Sequence, residues 1–88
     1  MVEHPELISF VLRAKNRRAI MEALEKEDAY PSKLMKLTGM YKSHTTRTLK
    51  ELESKKLVYC KNAEDRAYRF YALTTLGKKI WAEAKSHL

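Results

Sequence analysis

A chain of 88 residues, 44% hydrophobic and 33% charged, has the length of one domain, expected to span 1–88; it is too apolar for a disordered segment and too charged for a membrane protein. Its longest apolar runs are a few residues, so nothing in it reads as a membrane span, and MVEHPELISF lacks the basic start of a secretory signal. The formal charge is +7, unevenly placed: net −1 over 1–30, +5 over 31–60 and +3 over 61–88. A basic centre suits a polyanion partner, although a solvated Lys-rich surface has the same composition.

The elements follow in chain order. Pro5 and Glu6 suit a first helical turn, and Leu7, Ile8, Val11 and Leu12 recur at helical spacing, predicting a helix over about 5–14. Asn16 is the expected N-cap of a second helix, about 17–27, with Ile20, Met21 and Leu24 inward. Tyr30-Pro31-Ser32 breaks the pattern and opens a third, about 32–38, carrying Leu34, Met35 and Leu37 and stopped by Gly39. A fourth helix runs from about 42 or 43 to 55, with Leu49 and Leu52 on one face and His44, Thr46, Arg47 and Lys50 on the other.

The period then changes. Leu57 to Cys60 and Ala67 to Leu73 are β-branched or aromatic-rich, separated by the polar, turn-like stretch 62–66, which predicts a two-stranded hairpin with either face inward. A last helix spans about 75–86, with Leu76, Ile80, Trp81 and Ala84 apolar. The expected fold is therefore mainly α with a small β-hairpin, in the order α-α-α-α-β-β-α. Helix, Gly-containing turn and basic second helix, followed by a hairpin, is the layout of a winged helix-turn-helix.

From Ser32 to Gly77 the chain resembles the winged-helix core of ArsR- and MarR-type prokaryotic transcription regulators. Ser43, Arg47, Leu49 and Lys50 match recognition-helix positions; Leu52 and Leu57-Val58 match the run into the first wing strand. Asp65-Arg66 falls at the wing, and Tyr71, Leu73-Thr74 and Gly77 match the positions after it, while Asn16 to Ile20 resembles the basic start of the core. The resemblance implies a dimeric repressor on double-stranded DNA, cytoplasmic and nucleoid-associated. Thr45 departs from it, standing at a usually apolar position and expected to fill the core less well. So does Tyr41, at the usual N-cap position but unable to cap, leaving Ser43 as a cap from a later start. Residues 31–37 contain no Cys, His, Asp or Glu, so the ArsR-type metal site is missing; the long MarR-type dimerisation helices are absent or much shortened. No effector site is implied.

Arg47 is the expected base or phosphate contact, because Arg can donate two hydrogen bonds to guanine; the competing reading is an i,i+4 pair with Glu51. Ser43 and Thr46 suit phosphates and His44 a base edge, against ordinary helix-surface polarity. Lys42 and Lys50 are expected at phosphates, with Lys33 and Lys36 as further candidates. Arg66 at the wing tip suits a minor groove unless it pairs with Asp65 or Glu64; Arg69 and Lys61 are lesser wing candidates. Tyr59, Tyr68, Phe70 and Tyr71 read as core and hairpin residues rather than stacking platforms for single strands.

Cys60, the single cysteine, precludes an internal disulfide, fits a reducing compartment and reads as a partly buried strand residue. His4, His44 and His87 are too scattered for a metal site, and no phosphate loop or nucleophile–base set is present, so neither cofactor nor enzyme activity is expected. Gln is absent and Asn occurs only twice, a bias found in heat-adapted proteins. Phe10, Val11, Leu12, Ile80, Trp81 and Leu88 are expected to form a twofold interface, unless the two outer helices simply close the monomer core. Two further readings remain: a protein-interaction module in a transcription or virion assembly, and a non-specific architectural DNA binder.

Overall fold

The computed structural model describes residues 4–88; the start of the sequence, on which the reading against a secretory signal partly rests, lies outside them. The order is α1 (Pro5–Leu12), α2 (Lys15–Lys26), α3 (Pro31–Thr38), α4 (Lys42–Ser54), β1 (Val58–Cys60), β2 (Tyr71–Leu73) and α5 (Thr75–Lys85). The strands are antiparallel, with Val58 opposite Leu73, Tyr59 opposite Ala72 and Cys60 opposite Tyr71. Ala29 bridges the other edge of β2 through two backbone hydrogen bonds with Tyr71, of 3.0 and 2.9 Å. This is the expected mainly helical winged helix.

One core joins all the elements. Ile20, Met21 and Leu24 of α2 meet Leu34 of α3, Leu49 and Leu52 of α4, Val58 and Leu73 of the hairpin, and Ile80, Trp81 and Ala84 of α5. The i, i+3, i+4 spacing of these residues turns one stripe of each helix inward. Val11, Ile80 and Trp81 are buried within this core, which corrects their assignment to a twofold interface: α1 and α5 pack on the monomer. Trp81 Nε1 donates to Glu25 on α2, which also accepts from Lys85 at 2.5 Å, so α5 is tied down by polar as well as apolar contacts.

Helix ends explain several differences from the sequence reading. Helix α2 begins two residues early, with Ala14 at its N-cap, so Asn16 lies inside the first turn and caps nothing. Helix α4 starts at Lys42 behind Tyr41, and no side chain caps it, so Ser43 is not its cap. Thr45 instead satisfies the turn from within: fully buried, it donates Oγ1–H to the Tyr41 carbonyl at 3.0 Å. A threonine therefore fills an apolar position without an orphaned hydroxyl. Gly39 ends α3 with φ 73°, a left-handed conformation that glycine adopts without steric cost.

At the end of α4, Lys56 takes the same conformation with φ 63°. Its N–H bonds Glu53 O at 3.0 Å and that of Leu57 bonds Leu52 O at 3.0 Å, the paired bonds of a Schellman turn, with Leu52 and Leu57 both fully buried beneath it. That turn aims the chain directly into β1. The second strand is shorter than expected. Side chains take the N–H groups of Ala67, Tyr68 and Phe70 and the Tyr68 carbonyl, so beyond β2 the hairpin keeps the backbone bond from the Lys61 N–H to the Phe70 carbonyl at 2.7 Å but no regular ladder.

Candidate nucleic-acid interface

Helices α3 and α4, joined by the turn at Gly39 to Tyr41, form the helix-turn-helix. The inner face of α4 is buried through Thr45, Thr48, Leu49 and Leu52. Geometry then forces the intervening positions outward: Lys42, Ser43, His44, Thr46, Arg47 and Lys50 are all exposed. Ser43, Thr46, Arg47 and Lys50 share one continuous surface patch with Lys42 and Glu51. His44 lies towards the helix start, its ring edge-on to Tyr41 with centroids 6.1 Å apart.

The expected competitors for these cations are engaged elsewhere. Glu51 pairs with Arg17 on α2 at 3.2 Å, not with Arg47. Lys33 pairs with Glu27 at 2.6 Å and Lys61 with Asp28 at 2.8 Å. Among the described residues no hydrogen bond or ion pair holds the side chain of Lys42, Arg47, Lys50 or Arg66.

The wing is built from side-chain hydrogen bonds rather than a long ladder. Asn62 Oδ1 accepts the Phe70 N–H at 2.7 Å and Nδ2 donates to Tyr68 O at 2.7 Å. Asp65 Oδ1 accepts the N–H groups of Ala67 and Tyr68 at 2.8 and 2.9 Å. These two residues clamp the loop on either side of Arg66, which stands exposed at the tip. The N–H groups of Tyr68 and Ala67 hold the Asp65 carboxyl below the ordinary carboxylate range. A depressed carboxyl stabilises the ordered loop above its unfolded pKa, and that contribution is lost as pH falls through the lower folded value. The Ala67 and Tyr68 amide resonances should therefore keep their neutral-pH positions down to the ordinary aspartate range and move together below it. Movement near pH 6 would contradict the clamp.

Arg69 is half-buried, and its Nε is buried without a partner. With Arg66 it lines a 560 Å3 cleft between α3, α4 and the wing, floored by Met35, Leu49 and Tyr71. Sequence reasoning missed this cleft because its walls come from three separate segments. Tyr71 is core, Phe70 is half-buried against Tyr30 at 4.8 Å, and Tyr68 and Tyr59 are exposed, so the four aromatics form no shared platform. Cys60 is the partly buried strand residue expected. No group of three metal-ligating side chains comes together among the described residues, and none of their helices is long and apolar enough to cross a membrane.

A family model described as the HVO_A0261 N-terminal domain matches residues 5–88. The chain belongs to this family. Solved structures show where the HVO_A0261 N-terminal domain fold stands among known ones. A MarR-family transcriptional regulator from Enterococcus faecalis matches with a TM-score of 0.78 at 23% identity, over 93% of this chain and 76% of that one. A mutant of MepR from S. aureus matches with a TM-score of 0.78 at 20% identity, over 93% and 63%. A mutant of ZitR from Lactococcus lactis matches with a TM-score of 0.75 at 19% identity, over 84% and 51%. The chain thus spans about half of the ZitR chain and about two thirds to three quarters of the others. No curated protein matches it. The MarR-type resemblance read from the sequence holds at the level of fold.

Proposed function

We propose that the chain is a winged-helix module of a transcription regulator that binds double-stranded DNA sequence-specifically, acting as a homodimeric repressor by occluding its operator. The observation that carries this reading is the exposed face of α4, where Arg47, Lys50 and Lys42 stand uncompensated beside Ser43 and Thr46, with Arg66 at the wing. Helix α4 enters the major groove, Arg47 and His44 face base edges, Ser43, Thr46, Lys42 and Lys50 meet phosphates, and Arg66 follows the adjacent minor groove. Arg69 contributes from the cleft wall rather than the tip. The MarR-type fold supports the same reading, since the matched E. faecalis protein is described as a transcriptional regulator. No cofactor, metal or catalytic chemistry takes part, and the protein works in the cytoplasm on the nucleoid.

The dimer uses what the monomer core leaves exposed. Leu88 is 72% exposed, and Pro5 and the half-buried Leu12 line a groove with Ser9, Arg13 and His87 beside α1 and the end of α5. A twofold axis there sets two recognition helices about 34 Å apart, on successive major grooves of a pseudo-palindrome.

Selection of bound duplexes from a random pool at physiological salt tests the proposal, since it reports both sequence preference and half-site spacing. The selected duplex should then lose affinity by about 0.9 log units per tenfold rise in salt for each phosphate neutralised. Equal recovery of all duplexes would support a non-specific architectural binder instead. Undetectable duplex binding at low salt, with tight capture of an acidic protein, would support the interaction-module reading.

A further inference from the structure

We propose that Arg17 is a positioning residue for the recognition helix: it holds Glu51 away from Arg47 and so leaves Arg47 free to meet DNA. This rests on the DNA-binding reading above. Glu51 is the acid on the surface patch formed by Ser43, Thr46, Arg47 and Lys50, one helical turn beyond Arg47. At that spacing the two side chains lie within reach of each other. An unengaged Glu51 carboxylate would both compete with DNA for Arg47 and repel the phosphates that Lys50 attracts.

Arg17 removes that carboxylate from play because its own position is over-determined. Its Nε donates to Glu51 Oε1 at 3.2 Å, and its Nη1 donates to the Phe10 carbonyl at 2.8 Å. The guanidinium carbon lies over the Phe10 ring, 3.7 Å from the centroid. The Phe10 carbonyl is one of the last of α1, which the helix itself leaves unpaired, so the second bond satisfies a group that needs a donor. Only 17% of the Arg17 side chain is exposed, against 37% for Glu51, so the anchored cation draws the acid towards α2. The rival pair is weaker: in a helix, an acid four residues after its base is the less favourable order.

The test is a double-mutant cycle read on the selected duplex. Arg17→Met keeps an apolar stem against Phe10 and releases Glu51; it should weaken binding about three- to fivefold. Adding Glu51→Gln to that variant should restore affinity to within about twofold of the unmodified chain. A merely structural role for Arg17 predicts no rescue, because removing the Glu51 charge repairs nothing beside Phe10. Unchanged binding by Arg17→Met, or a double variant as weak as the single one, would overturn the proposal. Should Arg17→Met fail to fold, the arginine Nε–H resonances of the unmodified, DNA-free chain decide. Arg17 should be protected from solvent exchange and Arg47 unprotected; the reverse pattern overturns the inference. This measurement needs no DNA, so the inference can fail while the DNA-binding reading stands, and the reading can fail in the duplex assay alone.

Discussion

Gly77→Ala should lower the thermal midpoint of unfolding by roughly 10–25 °C, although alanine is the better helix former. The residue lies in the first turn of α5, where replacing glycine by alanine ordinarily stabilises a helix by about 1 kcal/mol. Here a Cβ would stand 2.0 Å from the Leu57 carbonyl oxygen and 3.0 Å from its carbon. Both atoms are backbone, so no side chain can swing aside to make room. The Leu57 carbonyl also accepts the Thr74 N–H at 3.0 Å, and Thr74 Oγ1 in turn donates to Lys56 O at 2.6 Å and accepts the Gly77 N–H at 2.8 Å. Relieving the clash therefore means moving α5 away from the entry to β1 and stretching this group of bonds together. Overpacking of this kind costs about 3 kcal/mol or more, which exceeds the propensity gain and leaves a net loss of about 2–4 kcal/mol. For a domain of this size each kcal/mol corresponds to about 4–8 °C. Thermal unfolding followed by circular dichroism measures it, and a midpoint at or above that of the unmodified chain would refute the packing argument.

That glycine illustrates which features a sequence displays. Its place after the second strand was legible as part of a pattern, but the reason for it, a backbone oxygen 20 residues away, was not. Helical segments were legible because Ile20, Met21 and Leu24, or Leu49 and Leu52, repeat at the period that buries one face. The stop at Gly39 was legible for a local reason, its positive φ. Strand length was not. Ala67 to Phe70 has strand-like composition, yet the Asn62 and Asp65 side chains take the N–H groups of Ala67, Tyr68 and Phe70, and these bonds displaced the regular ladder. Burial partners were equally invisible: Val11, Ile80 and Trp81 are apolar whether they face their own chain or a second copy. The same limit applied to charge. Spacing offered Glu51, four residues away, as the rival partner for Arg47, but the fold brought Arg17 to that acid from 34 residues away.

Arg47→Ala should abolish preference among duplexes while leaving a salt-dependent residual affinity, whereas Lys50→Ala should weaken all sequences alike. The two residues share the exposed face of α4, so exposure does not separate them. Chemistry does. A guanidinium fork matches the paired acceptors of a guanine edge, and each such bidentate contact discriminates by about 1–3 kcal/mol, roughly 5- to 150-fold between right and wrong base. A lysine ammonium is a compact charge that releases counterions from any phosphate and reads nothing. Accordingly, the Lys50→Ala slope of log affinity against log salt should be shallower by about one, with preference retained. Binding of each variant to the selected duplex and to a scrambled one, across a salt series, separates the two effects. If Arg47→Ala instead lowers both duplexes equally and flattens the slope, Arg47 is a phosphate contact. Base reading would then fall to His44, exposed towards the start of α4 and set edge-on to Tyr41.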